Sequence, residues 1–105
     1  MTNYTGNAST TTPTINTATS TTILAANVNR KYLFIQNNSA ANIAINLAGA
    51  ALTGITPTAT NFCIVLGSTA GTNYWSSNDM FVPQGAITAY QTSGATINTV
   101  TVVEG

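Results

Sequence analysis

The sequence predicts an all-β fold, an antiparallel β-sandwich or jelly roll of about eight short strands with an extended N-terminal arm. Three observations lead there. Apolar runs are short and rich in Ile, Val, Leu and aromatic residues; clusters of Gly, Pro, Asn and Ser interrupt them; and no stretch carries a convincing helical period. At 105 residues the chain fits one domain with one core.

Residues 1–22 read as an arm, distinct from a β-sandwich domain at 23–105. Ten of those 22 residues are Thr, and the only sizeable apolar side chains are Met1, Tyr4 and Ile15. Such a block buries too little apolar surface to offset the entropy of ordering its backbone. It is therefore either disordered or an extended arm that orders against a neighbour as an edge strand. Thr favours extended backbone, Pro13 disfavours helix, and Ile15, Thr17 and Thr19 fall on one side of a strand. Thr11, Thr12, Pro13 and Ile15 are the arm residues expected at that contact. Asn3-Tyr4-Thr5, Asn7-Ala8-Ser9 and Asn37-Asn38-Ser39 match the glycosylation pattern, as chance predicts in a chain this rich in Asn, Thr and Ser.

Thr21–Ala25 reads as a short strand, with Ala26–Asn29 turning it into a hairpin with the next. That next stretch, Arg30–Ser39, joins the chain's only two cations to a dense apolar run and a polar stop. Leu33 and Ile35 face one way and Tyr32 and Phe34 the other, so both faces need cover, the second from another sheet or another molecule. Asn42–Leu47 alternates cleanly, with Ile43, Ile45 and Leu47 toward the core. Residues 48–61 hold two Gly and a Pro without a period and form a long loop, of a length that usually has a job. Phe62–Leu66 is a further strand. Thr72–Ser76 carries Tyr74 and the only Trp, Trp75, which either closes the end of the sandwich or anchors a binding surface. Pro83 and Gly85 suit a turn. Ala86–Thr92 and Thr96–Glu104 then form a final hairpin, with Ile87 and Ala89 sharing one face, and Val100 and Val102 sharing another.

Charged residues are 4% of the chain, namely Arg30, Lys31, Asp79 and Glu104, against roughly a quarter in an ordinary domain. Zero net charge removes self-repulsion, so assembly into something larger is expected, as a dimer or trimer or on another protein. Nucleic acid and anionic membranes are excluded as partners because two adjacent cations cannot neutralise several phosphates. No apolar stretch is long enough to cross a membrane as a helix, and Met1–Gly6 has neither a basic nor an apolar leader region, so synthesis in a cytoplasm is expected. Cys63 is alone, which rules out an intrachain disulfide and a thiolate metal site; it reads as a small buried hydrophobe. The chain has no His, so no Ser-His-Asp or Cys-His arrangement can be built. Asp79 in a surface turn and Glu104 at a fraying C-terminus do not read as a catalytic pair. No enzyme activity, cofactor or metal is expected.

The segments Leu24–Ser39, Phe81–Ile87 and Val100–Gly105 carry a resemblance. Their order, an "NxxRKxLxIQN" strand, a "FVPxGAI" turn and a "VTVxEG" ending, resembles small tailed-phage virion proteins of the capsid cement, decoration or head-fibre type. The resemblance covers under a third of the chain, and the Thr-rich arm and the 48–61 loop lie outside it. It implies a structural protein on the capsid surface of a virion, with the major capsid protein as partner. A cement protein needs a compact domain, a neutral contact surface and an arm, and hydroxyl and amide side chains supply hydrogen bonds without the desolvation cost of charges. On this reading Arg30, Tyr32 and Phe34 join the arm as interface residues. Arg30 pairs with Glu104, with Asp79 or with an acidic group of a capsid subunit, and in the last case Arg30→Ala weakens attachment more than folding. The alternative is a receptor- or glycan-binding module of a head or tail fibre, with Trp75 and Tyr74 stacking on sugar rings.

Overall fold

In the computed structural model, which describes residues 8–105, the chain is all-β. Its strands are β1 (Ser9–Thr11), β2 (Thr21–Leu24), β3 (Leu33–Asn37), β4 (Ile43–Asn46), β5 (Ile64–Leu66), β6 (Tyr74–Ser76), β7 (Ile87–Gln91) and β8 (Val100–Glu104). They form two four-stranded sheets, ordered β1-β8-β3-β6 and β2-β7-β4-β5. First pairs with last, second with seventh, third with sixth and fourth with fifth, all antiparallel. The chain is thus one long hairpin, its tip between β4 and β5, wound on itself and locked by the β3–β8 and β4–β7 pairings. This is a sandwich wrapped in jelly-roll order.

Period-two alternation explains which residues meet between the sheets. Leu33, Ile35, Val100 and Val102 come from the first sheet, and Ile23, Ile43, Ile45, Leu66, Ile87 and Ala89 from the second. Each large side chain in this layer stabilises the fold by about 1.5–3 kcal/mol. Trp75 packs against the layer from β6 and meets Phe81 edge to face, with ring centroids 6.3 Å apart.

From Ser9 onward the Thr-rich stretch belongs to the sandwich. Ser9, Thr10 and Thr11 pair with Glu104, Val103 and Val102. Ile15 exchanges backbone hydrogen bonds of 2.8 and 3.0 Å with Ile97, and its side chain is 0% exposed within the core. A single isoleucine in a polar stretch acts as the plug between the sheets. Met1–Asn7, which include the start of the expected arm and the Asn3-Tyr4-Thr5 triplet, lie outside the described residues.

Both expected hairpins give way to sheet crossings. β2 pairs with β7 rather than with β3, and β7 and β8 lie in different sheets. A buried amide at the head of the β7-to-β8 crossing explains the second case, and its counterpart at the β3-to-β4 crossing reveals a repeat hidden in the sequence. Gln91 donates from Nε2 to the Ala95 carbonyl (2.7 Å), while its Oε1 accepts from the Ser93 N–H (2.6 Å) and hydroxyl (2.7 Å). Asn37, at the β3-to-β4 crossing, repeats the pattern with Ala41 and Ser39. Each amide also reaches a more distant carbonyl, Ile15 for Gln91 and Leu66 for Asn37. Fully satisfied amides of this kind fix the path of a turn, because any other path leaves buried polar atoms unpaired.

The expected long loop, here residues 47–63, covers the outer face of the second sheet. The Asn46 Oδ1 accepts from the Ala48 and Ala50 N–H groups, and its Nδ2 donates to the Phe62 carbonyl. The Thr88 hydroxyl donates to the Ala50 carbonyl at 2.6 Å. Leu52 in the loop and the outward-facing Ala44 are both buried, apart from the central core cluster. Gly49 is required where the loop meets β7: its φ is +78°, and a Cβ there would lie 3.0 Å from the Ala86 carbonyl oxygen.

Candidate functional site

The segments Leu24–Ser39, Phe81–Ile87 and Val100–Gly105 converge on Arg30, which lies in the link between the sheets and is 1% exposed. Its Nε donates to Glu104 Oε2 at 2.7 Å. Nη1 donates to the Pro83 and Gly85 carbonyls at 2.6 and 3.0 Å, and Nη2 to the Ala25 carbonyl at 2.7 Å. Asn27 Nδ2 adds a bond to the same Glu104 oxygen. The planar guanidinium suits this task because its donors point in fixed directions at several carbonyls at once. One side chain thereby ties the end of β2, the turn before β7 and the end of β8.

This placement corrects two expectations. Arg30 has no surface to offer a capsid subunit; of the partners considered for it, Glu104 is the one it holds. Glu104 is not on a fraying end, since it lies in β8 and Gly105 beyond it accepts from the Lys31 and Tyr32 N–H groups. Ile15 is likewise spent inside the fold.

The other expected interface residues separate. Thr11 and Thr12 are exposed and Pro13 half-buried, at the β1 edge of the first sheet. Tyr32 and Phe34 lie with the outer face of that sheet. Phe34 stands in register with Val103 and Ser76, and Val103 with Thr10; Gln36 stands in register with Thr101 and Tyr74. Tyr74, diagonal to Phe34, stacks on it with centroids 5.9 Å apart and planes 22° apart. The result is a face of Tyr32, Phe34, Tyr74 and Val103 edged by Thr10, Gln36 and Thr101, with no charged residue among them. Thr11 opposes inward-facing Val102, so Thr10 takes the outward place expected for Thr11. Thr101 and Val103 were missing from the expected interface, and Tyr74 was expected at a surface only in the sugar-binding alternative. Alternation in β6 and β8 signals them: Tyr74 must face away from Trp75, and Val103 away from Val102.

Beside this face, between β3 and the turn after β6, opens a cleft lined by Lys31, Tyr32, Asn78, Asp79, Met80 and Phe81. Phe81 also borders a second, shallower and more apolar depression with Phe62 and Ile64. Cys63, in that depression, is half-buried rather than buried, and desolvation pushes its thiol up from the usual range, away from the nucleophilic thiolate. Among the described residues no three of His, Cys, Asp and Glu come together as metal ligands would. Among the same residues no helix is long and apolar enough to cross a membrane.

No protein-family profile matches the chain, and no curated protein or solved structure is significantly similar to it. Function is therefore read from this chain's own surfaces.

Proposed function

We propose that the chain is a structural virion protein that lies on the outside of a phage capsid and stabilises it, docking on the major capsid protein through the outer face of the first sheet. The observation that carries this reading is the Tyr32, Phe34, Tyr74 and Val103 face: largely aromatic and uncharged, with Tyr32 and Tyr74 exposed and Phe34 and Val103 half-buried among the described residues. Aromatic side chains provide large contact area at small entropic cost, and the hydroxyl and amide rim bonds a neighbour without desolvating charge. Buried polar side-chain atoms are all satisfied within the described residues, so the rest of the fold stands without help from a partner. Jelly-roll sandwiches serve both capsid and sugar-binding proteins, a fold-level analogy that agrees with the reading but does not select it. Chemistry by this chain, a cofactor, nucleic acid and membranes have no part in the proposal.

The test mixes purified protein with expanded, empty heads assembled from the major capsid protein of the same genome, followed by sedimentation and imaging. Decoration spread over the shell, lost in Phe34→Ser/Tyr74→Ser, is the expected result. Density confined to a few sites, or binding to immobilised glycans instead of heads, would transfer the function to a fibre module using the Phe34–Tyr74 stack as its sugar platform.

A further inference from the structure

The four charges of this chain divide into a committed pair and a free pair. Arg30 and Glu104 are bonded to each other inside the fold. Lys31 and Asp79 are both exposed, line one cleft, and form no ion pair among the described residues. Beside them stand several exposed apolar side chains, including Met80, the most exposed large hydrophobic among the described residues. Met80 is 95% exposed and Phe81 52%, with Tyr32 in the same cleft and Phe62, 71% exposed, just beyond Phe81. This display is built rather than loose. The Asn78 Oδ1 accepts from the Met80 and Phe81 N–H groups at 2.8 and 3.0 Å, and Asn78 and Phe81 also bridge through their backbones, so the turn holds Met80 outward.

We infer that this cleft is the two-fold contact between two copies of the chain, with Lys31 of each copy against Asp79 of the other around a centre of Met80 and Phe81. Charge complementarity selects the occupant. A cleft carrying one cation and one anion is complementary to itself when turned about a two-fold axis, because a residue pair across such an axis is made twice. A strongly acidic or basic partner would match one of the two charges and oppose the other. An apolar centre flanked by opposite charges is also the usual anatomy of a contact between like chains. Zero net charge leaves no long-range repulsion between copies. The contact shares Tyr32 with the aromatic sheet face and leaves Phe34, Tyr74 and Val103 outside it, so it does not rest on the proposed docking on capsids.

The test is the solution mass of the full chain without capsids, by sedimentation equilibrium over a concentration series. The wild type is expected to reach twice the 10.8 kDa of one chain. Lys31→Asp and Asp79→Lys, each creating like charges across the axis, are expected to weaken association by more than about tenfold. An equimolar mixture of the two single variants is expected to pair as a heterodimer, and the double variant Lys31→Asp/Asp79→Lys to regain self-association. Lys31→Glu and Asp79→Arg replace any variant that fails to melt cooperatively. A wild type that stays monomeric or stops at a trimer, single variants that associate like wild type, or a mixture that remains monomeric would each overturn the inference while leaving capsid docking untouched.

Discussion

The outer faces of the two sheets have the same strand count and the same antiparallel pairing, yet the described residues cover them unequally. On the second sheet the 47–63 loop lies over β4 and β7, held by Asn46 and Thr88, with Ala44 and the loop's own Leu52 buried, while Tyr90 stays half-buried and Val65 exposed. On the first sheet Phe34 and Tyr74 stack on each other, and Tyr32 and Tyr74 are exposed. On the proposed reading, the face under the loop serves stability, and the face of Tyr32, Phe34 and Tyr74 serves contact. Substitutions on the two faces should therefore act on different measurements.

The largest effect is expected at the tie between the sheets. Arg30→Ala removes four hydrogen bonds and leaves Glu104 without its cation, at a cost of about 3–5 kcal/mol. Thermal melting should show a Tm lowered by roughly 15 °C or more, or no cooperative transition at all. On the covered face, Leu52→Ala should cost about 2–4 kcal/mol in urea denaturation, because it empties the space between loop and sheet. Gly49→Ala should cost about 1–2 kcal/mol by the same measurement, since a Cβ at φ +78° is strained and meets the Ala86 carbonyl. Phe34→Ser and Tyr74→Ser, on the aromatic face, should each change stability by less than about 1 kcal/mol while abolishing attachment. The smallest effect is chemical. The raised Cys63 thiol should shift its alkylation rate profile to higher pH than that of a small free thiol, because less thiolate is present at a given pH.

What the sequence made legible follows from the period of the side chains. Leu33 and Ile35, Ile43 and Ile45, Val100 and Val102 each recur at a spacing of two, and that period places each pair on one face of its strand. Strand partners were not legible in the same way, because a strand that alternates correctly can pair in either sheet. What decides the crossings is the buried side chains of Asn37 and Gln91. In a sequence these read as ordinary turn formers, and the two turns share only a Ser and an Ala at matching offsets, too little to announce a repeat. Ile15 was obscured by its Thr-rich surroundings, which average to an unfoldable composition although one side chain suffices to anchor the segment. Arg30 was drawn toward a partner by the rule that charges are solvated, and only its four donors in place show that the fold consumes it. Tyr32 and Phe34 were legible as a second face needing cover, since alternation cannot put them inside with Leu33. Tyr74 and Val103, which complete that face, come from strands distant in sequence and required the register.

The proposed division between a face for stability and a face for contact is tested most directly by head binding of Phe34→Ser/Tyr74→Ser measured beside Leu52→Ala at a temperature where both are folded. The double variant at the aromatic face should fail to decorate expanded heads while melting near the wild type, and Leu52→Ala should decorate normally while melting well below it. Normal decoration by the double variant would contradict the assignment of the first sheet as the contact face.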